Sequence, residues 1–154
     1  MNVLGVGDAN VTSEYASQTN TTSNPIADVV VYWRVSALAL LAVALLGTAL
    51  NIALGTGAWI VDPGFLTFDW THNVVHYLLA ATAGVFGFTG LARKKIAATM
   101  AVVVGVVYLG LGIVGFIPGV VSGLDGLLGL HLELGENLVH LLLGGWATYA
   151  GLSS

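Results

Sequence analysis

Residues 69–79 read Asp69-Trp-Thr-His-Asn-Val-Val-His-Tyr-Leu-Leu79, and residues 133–143 read Glu133-Leu-Gly-Glu-Asn-Leu-Val-His-Leu-Leu-Leu143. Displaced by 64 positions, Asp69 meets Glu133 and His72 meets Glu136, while Asn73 meets Asn137 and His76 meets His140. Just upstream, Thr67 meets His131. Each stretch opens a helix with Asn-x-x-His, and each follows an apolar segment and a long connection. The pattern predicts two tandem two-helix units related as parallel repeats about an axis near the membrane normal.

Working outward, four stretches are long and apolar enough to suggest crossing a bilayer, which takes about 20 residues. Val35 to Ala53, Val74 to Ala92 and Ile96 to Phe116 carry no charge, and Leu138 to Leu152 is shorter but extended by Asn137 and the final serines. Breaks fall between them at Asp62-Pro63-Gly64, Arg93-Lys94-Lys95 and Pro118-Gly119. The expected fold class is all-α: an integral membrane four-helix bundle of two tandem two-helix repeats, with spans at about 34–54, 72–92, 96–117 and 136–153. Glycine, 21 residues and mostly inside the spans, lets helix backbones approach in lipid. Gly84 with Gly87, Gly105 through Gly115, and Gly144 with Gly145 are the expected seams.

Composition excludes other classes. Hydrophobic residues make up 56% of the 154 residues and charged residues 8%, with mean hydropathy +0.90. Soluble domains carry about 25% charged residues, so lipid must cover most of this surface. Cysteine is absent, which removes disulfides, thiolate metal sites and cysteine nucleophiles. A net charge of -4 with no long basic run argues against nucleic acid. Ser36 and Ser122 have no base that spacing can assign, so no enzyme constellation is expected.

Arg34, Arg93, Lys94 and Lys95 are all the basic residues, and with four spans they share one side. The positive-inside rule makes that side cytoplasmic, with both termini. The connections at about 55–72 and 118–136 then face outward as re-entrant or interfacial loops, carrying Asp62, Asp69, Asp125, Glu133 and Glu136. Tyr32, Trp33 and Tyr149 suit an inner aromatic belt, and Trp59 and Trp70 an outer one. Residues 1–24 read as a flexible polar tail ahead of the domain at 25–154. Asn10-Val-Thr12 and Asn20-Thr-Thr22 fit the glycosylation acceptor pattern, and their use would invert the topology. Asn24-Pro25 reads as a helix start, with the first helix beginning near Pro25. The second connection, with Leu124, Leu127, Leu128, Leu130, Leu132 and Leu134, reads as an interfacial or subunit-contacting segment.

With His-Asn-x-x-His at 72–76, Glu-Asn-x-x-His at 136–140 and glycines in the helices, residues 34–153 resemble a family of small four-helix prokaryotic membrane proteins of unknown function. The resemblance implies fold and topology and no activity.

Ionisable groups within spans are functional hypotheses by default. Asn73 with His76, and Asn137 with His140, each share a helical face. The preferred role is structural: hydrogen bonds pinning the bundle in a non-enzymatic protein that self-associates or joins a larger membrane complex. One alternative is a metal site of His72, His76, Glu136 and His140 for zinc, built from two i,i+4 pairs. Another is a haem between His76 and His140. Transport of a small solute or proton is a third, weakened because no charged residue or histidine lies between the two histidines and the basic edge. Thr48, Asn51, Thr82, Thr89 and Thr99 are expected to bond to their own helix backbones.

Overall fold

The computed structural model describes residues 24–59, 65–90, 93–121 and 133–154. The N-terminal tail with its acceptor patterns, the Asp62-Pro63-Gly64 turn, and Ser122 through the leucine-rich stretch to Leu132 lie outside the described residues.

Among the described residues the chain is all-α apart from one short strand pair. Asn24 caps a single 3-10 turn, Pro25–Ala27, through its side chain and the Ile26 N–H at 3.1 Å. Helix α1 does not begin there. Asp28 is extended, accepts from the Val30 N–H at 2.8 Å, and starts α1 at Val29–Leu54. Proline at 25 sets the turn, but a carboxylate cap three residues later starts the helix. Gly55, with φ +96°, ends it.

Strands β1 (Ala58–Trp59) and β2 (Thr67–Phe68) then pair antiparallel, Ala58 opposite Phe68. This pairing was not expected from the loop sequence. Asp69 caps α2 (Trp70–Phe88) by accepting from the His72 N–H at 2.8 Å. Helix α2 stops at Phe88, short of Ala92, as the chain enters the left-handed conformation at Gly90. Helix α3 spans Lys94–Val114, and α4 spans Leu134–Leu152. Helices α2 and α4 are each 19 residues long and start 64 positions apart.

Helix α1 packs mainly on α2, and α3 on α4. The two hairpins meet at both ends. At the end holding the start of α1 and the close of α4 (the terminal end), the Trp33 indole donates to the Ala97 carbonyl at 3.1 Å. The Trp146 indole donates to the Ile26 carbonyl at 2.8 Å, and Ser154 Oγ accepts from the Val29 N–H at 3.2 Å. Tyr32 and Trp33 are buried here rather than forming a belt; Trp33 stacks on Phe86 and Tyr32 meets the edge of Trp146. The surrounding core is mostly alanine: Ala37, Ala83, Ala97, Ala98, Ala101, Ala147 and Ala150.

Among the described residues two helices, α1 and α3, are long and apolar enough to cross a membrane. The first two turns of α2 hold His72, Asn73 and His76, and those of α4 hold Glu136, Asn137 and His140. This polar start makes both less apolar than the other pair.

The glycine seams are partly as expected. A Cβ at Gly87 would lie 2.9 Å from the Arg34 backbone, and one at Gly144 would lie 2.8 Å from Leu109 N. Gly105, Gly112 and Gly115 also sit against neighbouring chain. Gly84, Gly110 and Gly145 face open space instead, because each points away from the opposing helix.

Candidate functional site

At the loop end, the starts of α2 and α4 bring His72 and Glu136 together. His72 Nε2 lies 3.1 Å from Glu136 Oε1, and both residues are only 7% exposed. Their mutual pairing takes both side chains out of solvent. The second carboxylate oxygen, Glu136 Oε2, accepts from the Glu133 N–H at 3.4 Å and closes the start of α4 as a capping box. Asp69 Oδ2 lies 3.7 Å from His72 Nδ1. One carboxylate therefore caps its own helix and holds the other hairpin's histidine.

Two further bonds cross beside this pair. Thr67 Oγ1 donates to Glu133 Oε1 at 2.8 Å, and the Gly135 N–H donates to the Phe65 carbonyl at 2.8 Å. Neither was legible as a pair, because each depends on how the first connection folds back over α4.

Below them lie the two asparagines, at 1% and 2% exposure. In its satisfied amide orientation, Asn51 donates to the Phe68 carbonyl at 2.7 Å and accepts from Asn73 Nδ2 at 2.9 Å. Asn51, expected to bond to its own helix, does reach the Gly55 carbonyl at the close of α1 at 3.3 Å, and beyond that expectation it ties α1 to β2 and α2. Asn137 Nδ2 donates to the Gly115 carbonyl at 2.8 Å, joining α4 to the end of α3. Thr48 also departs from expectation: its hydroxyl meets the Tyr77 hydroxyl at 3.1 Å. Thr82, Thr89 and Thr99 do bond to the carbonyls of Leu78, Val85 and Lys95, one turn back.

His76 and His140 are half-buried one turn deeper. The His76 ring lies 5.6 Å from that of His72, and the His140 ring 5.1 Å from that of Tyr108. His140 is within electrostatic range of His72 and His76. The Nδ1 atoms of His76 and His140 are buried without a hydrogen-bond partner. Among the described residues, no three histidine or carboxylate side chains are arranged to hold a metal ion. His72 and Glu136 bind each other, which leaves His76 and His140 as neighbours of that pair.

At mid-height a cavity of about 30 Å³ opens among all four helices, lined by Tyr32, Ser36, Leu79, Thr82, Tyr108 and Leu143. It has room for about one water molecule, too little for a solute.

Comparison with known protein families, curated proteins and solved structures finds no match. The likeness to small four-helix membrane proteins therefore rests on the motifs at 72–76 and 136–140.

Proposed function

We propose that this chain is a four-helix integral membrane protein with a non-enzymatic, structural role, acting by assembly with itself or as a small subunit of a membrane complex. The observation that carries this reading is an inverted distribution of polarity. Ser36, Asn51, His72, Asn73, Glu136 and Asn137 are buried, while Leu38, Ile52, Leu54, Leu78, Leu142 and Leu152 are 61–74% exposed. Water-soluble chains bury large apolar residues and rarely expose contiguous apolar surface. Only 22% of the apolar stretch of α1, and 22% of that of α3, is buried within the protein, which leaves most of both stretches for lipid.

The equal lengths of α2 and α4, and contacts at positions 64 apart, support a duplicated two-helix unit. The terminal end, with Arg34, Lys94 and Lys95, is the cytoplasmic end in this reading. The loop-end cluster is a hydrogen-bonded clasp between the two units. His72 with Glu136, Thr67 with Glu133, and the two asparagines with Asn51 and Gly115 are paired across elements, which favours pinning over ligand binding.

Alkaline carbonate extraction of whole membranes, followed by mass determination of the detergent-purified chain, tests the reading. The chain should stay in the pellet and purify as a multimer or with a co-purifying subunit. Release into the supernatant would overturn membrane integration, and a lone monomer would overturn assembly. Cysteines placed at Ser13 and Leu130 test orientation with an impermeant thiol reagent in whole cells. Labelling should occur at 130 and not at 13.

A further inference from the structure

On the outside of the second hairpin, at the terminal end, α3 and the close of α4 frame an open groove of about 600 Å³. Its rim carries Lys94 and Lys95, and its floor runs past Thr99 to Val102 and Val103, with Leu152 on the opposite wall. We propose that this groove binds one anionic diacyl phospholipid, its phosphate at Lys94 and Lys95 and an acyl chain along Val102, Val103 and Leu152.

The argument begins with charge. Both lysines are exposed, and the ion pairs among the described residues are those of His72 with Asp69 and Glu136. Neither lysine is neutralised by an ion pair there. Arg93 precedes them at the helix start and supplies no side-chain cap, so the first N–H groups of α3 add to the positive potential. Three cations at the positive end of a helix repel that end and favour an added anion. Arg34 differs: its Nε donates to the Gly87 carbonyl at 2.8 Å and its guanidinium lies over the Phe88 ring.

Shape then selects a lipid over a free anion. From Lys94 and Lys95 to Val102 and Val103 is roughly 12 Å at 1.5 Å per residue, and past Thr99, whose hydroxyl bonds back to the Lys95 carbonyl, the floor is apolar. Val103 is 48% exposed and Leu152 74% exposed, so the wall is open to a chain laid against it. A Cβ at Gly151 would lie 2.7 Å from the Ala98 carbonyl and from Val102, so the glycine lets α4 pack closely on α3 beside the groove. A charged mouth above an apolar trough matches a phosphate joined to an acyl chain. Basic sites between helices at the cytoplasmic face recognise anionic headgroups on the same grounds.

The proposal rests on the membrane reading above. The test uses the full chain purified in neutral detergent, with dioleoylphosphatidylglycerol, dioleoylphosphatidylcholine and inorganic phosphate as probes. Native mass spectrometry counts retained lipid, and thermal melting reads stabilisation. Phosphatidylglycerol should be retained at one per chain and raise the melting midpoint, while phosphatidylcholine should do neither. Replacing both lysines, K94Q with K95Q, should weaken retention roughly thirtyfold. Val103→Trp, which fills the trough and keeps both lysines, should weaken it as well. Equal retention of the two lipids, or wild-type retention by the lysine variant, would overturn the proposal. An equal shift with inorganic phosphate would make this a free-anion site and also overturn it. A chain that integrates but shows no preference refutes the groove alone; a chain released into the supernatant by carbonate refutes both readings.

Discussion

The two hairpins place side chains at positions 64 apart in the same contacts and satisfy them differently. In the first, Thr48 and Tyr77 share a hydrogen bond at 3.1 Å. In the second, the same two positions are Gly112 and Leu141, in van der Waals contact so close that a Cβ on Gly112 would sit 2.8 Å from Leu141 Cγ. Asn73 bonds to the Asn51 side chain, whereas Asn137 bonds to the backbone carbonyl of Gly115, the position equivalent to Asn51. Gly87 lies against Arg34 in one hairpin and Gly151 against Ala98 in the other. Both hairpins use an asparagine bond and a glycine laid against the facing helix, and they differ where the first has the Thr48–Tyr77 hydrogen bond and the second has Gly112 against Leu141. In the membrane setting we propose, a helix pair gains little from apolar burial, so either device suffices to hold it.

The largest effects should come where the hairpins meet. Glu136→Leu removes the His72 partner and the cap on Glu133 N–H, stranding a buried imidazole, at a cost of about 3 kcal/mol. His72→Leu should cost a similar amount. The double variant should cost much less than the sum, because both buried partners are then apolar. Unfolding of the purified protein in mixed micelles measures this, and additive losses would show that the pair is not a coupled clasp.

Next in size is the glycine seam of the second hairpin. Gly144→Leu forces its side chain into Leu109 and the Gly105 carbonyl, for a loss of roughly 2 kcal/mol. Gly145→Leu, one residue on and facing open space, should change stability by under about 0.5 kcal/mol. Position 80, equivalent to Gly144, already holds a buried alanine. Ala80→Gly should therefore be mild, and a loss as large as that of Gly144→Leu would erase the contrast between the hairpins.

Much of this was legible in residues 69–79 and 133–143. Asn-x-x-His marked both helix starts, and the absence of charge marked the apolar helices. The clasp was half legible: periodicity placed His72 and Glu136 at equivalent positions, but their contact depends on how the two units are set against each other. Asn51 was missed because a lone asparagine in an apolar run usually bonds to its own turn. Its partners, Phe68 and Asn73, are brought to it by the strand pair, and Ala58, Trp59, Thr67 and Phe68 lack the length or alternation that announces a strand. Trp33 was assigned to a belt because tryptophan favours interfaces; the small Ala97 opposite it leaves room for the indole to turn inward and reach that carbonyl.

The asparagines test whether polar joining matters more in the first hairpin. Asn73→Ala breaks the bond to Asn51, and should cost about 2 kcal/mol. Asn137→Ala removes one bond to a backbone carbonyl and should cost about 1 kcal/mol. The same micelle titration resolves the two, and an inverted order would mean that the close approach of Gly115 depends on its asparagine.

The smallest effect is the most direct probe of equivalence. Tyr77→Phe deletes one hydroxyl and leaves the ring, so only the bond to Thr48 is lost. Hydrogen bonds between helices in lipid contribute about 0.6 kcal/mol on average, and the variant should lose about that much. Thr48→Val should lose the same, and the double variant no more than either alone, because one bond serves both residues. The exchange T48G with Y77L then installs in the first hairpin the pair that the second one uses. If the units are interchangeable, α1 and α2 should close the gap and recover part of the loss through contact. If the spacing of the first hairpin is held instead by Asn51, Asn73 and the Arg34 bond to Gly87, the exchange leaves a void. It should then cost roughly 2 kcal/mol, in line with large-to-small changes in a packed interior. We expect the second outcome, because Phe68 and Asn73 already lie against Gly47, one residue before Thr48, and fix the distance between the helices there. Recovery of wild-type stability in the exchange variant would show that hydrogen bonding and glycine contact are equivalent ways of closing one unit.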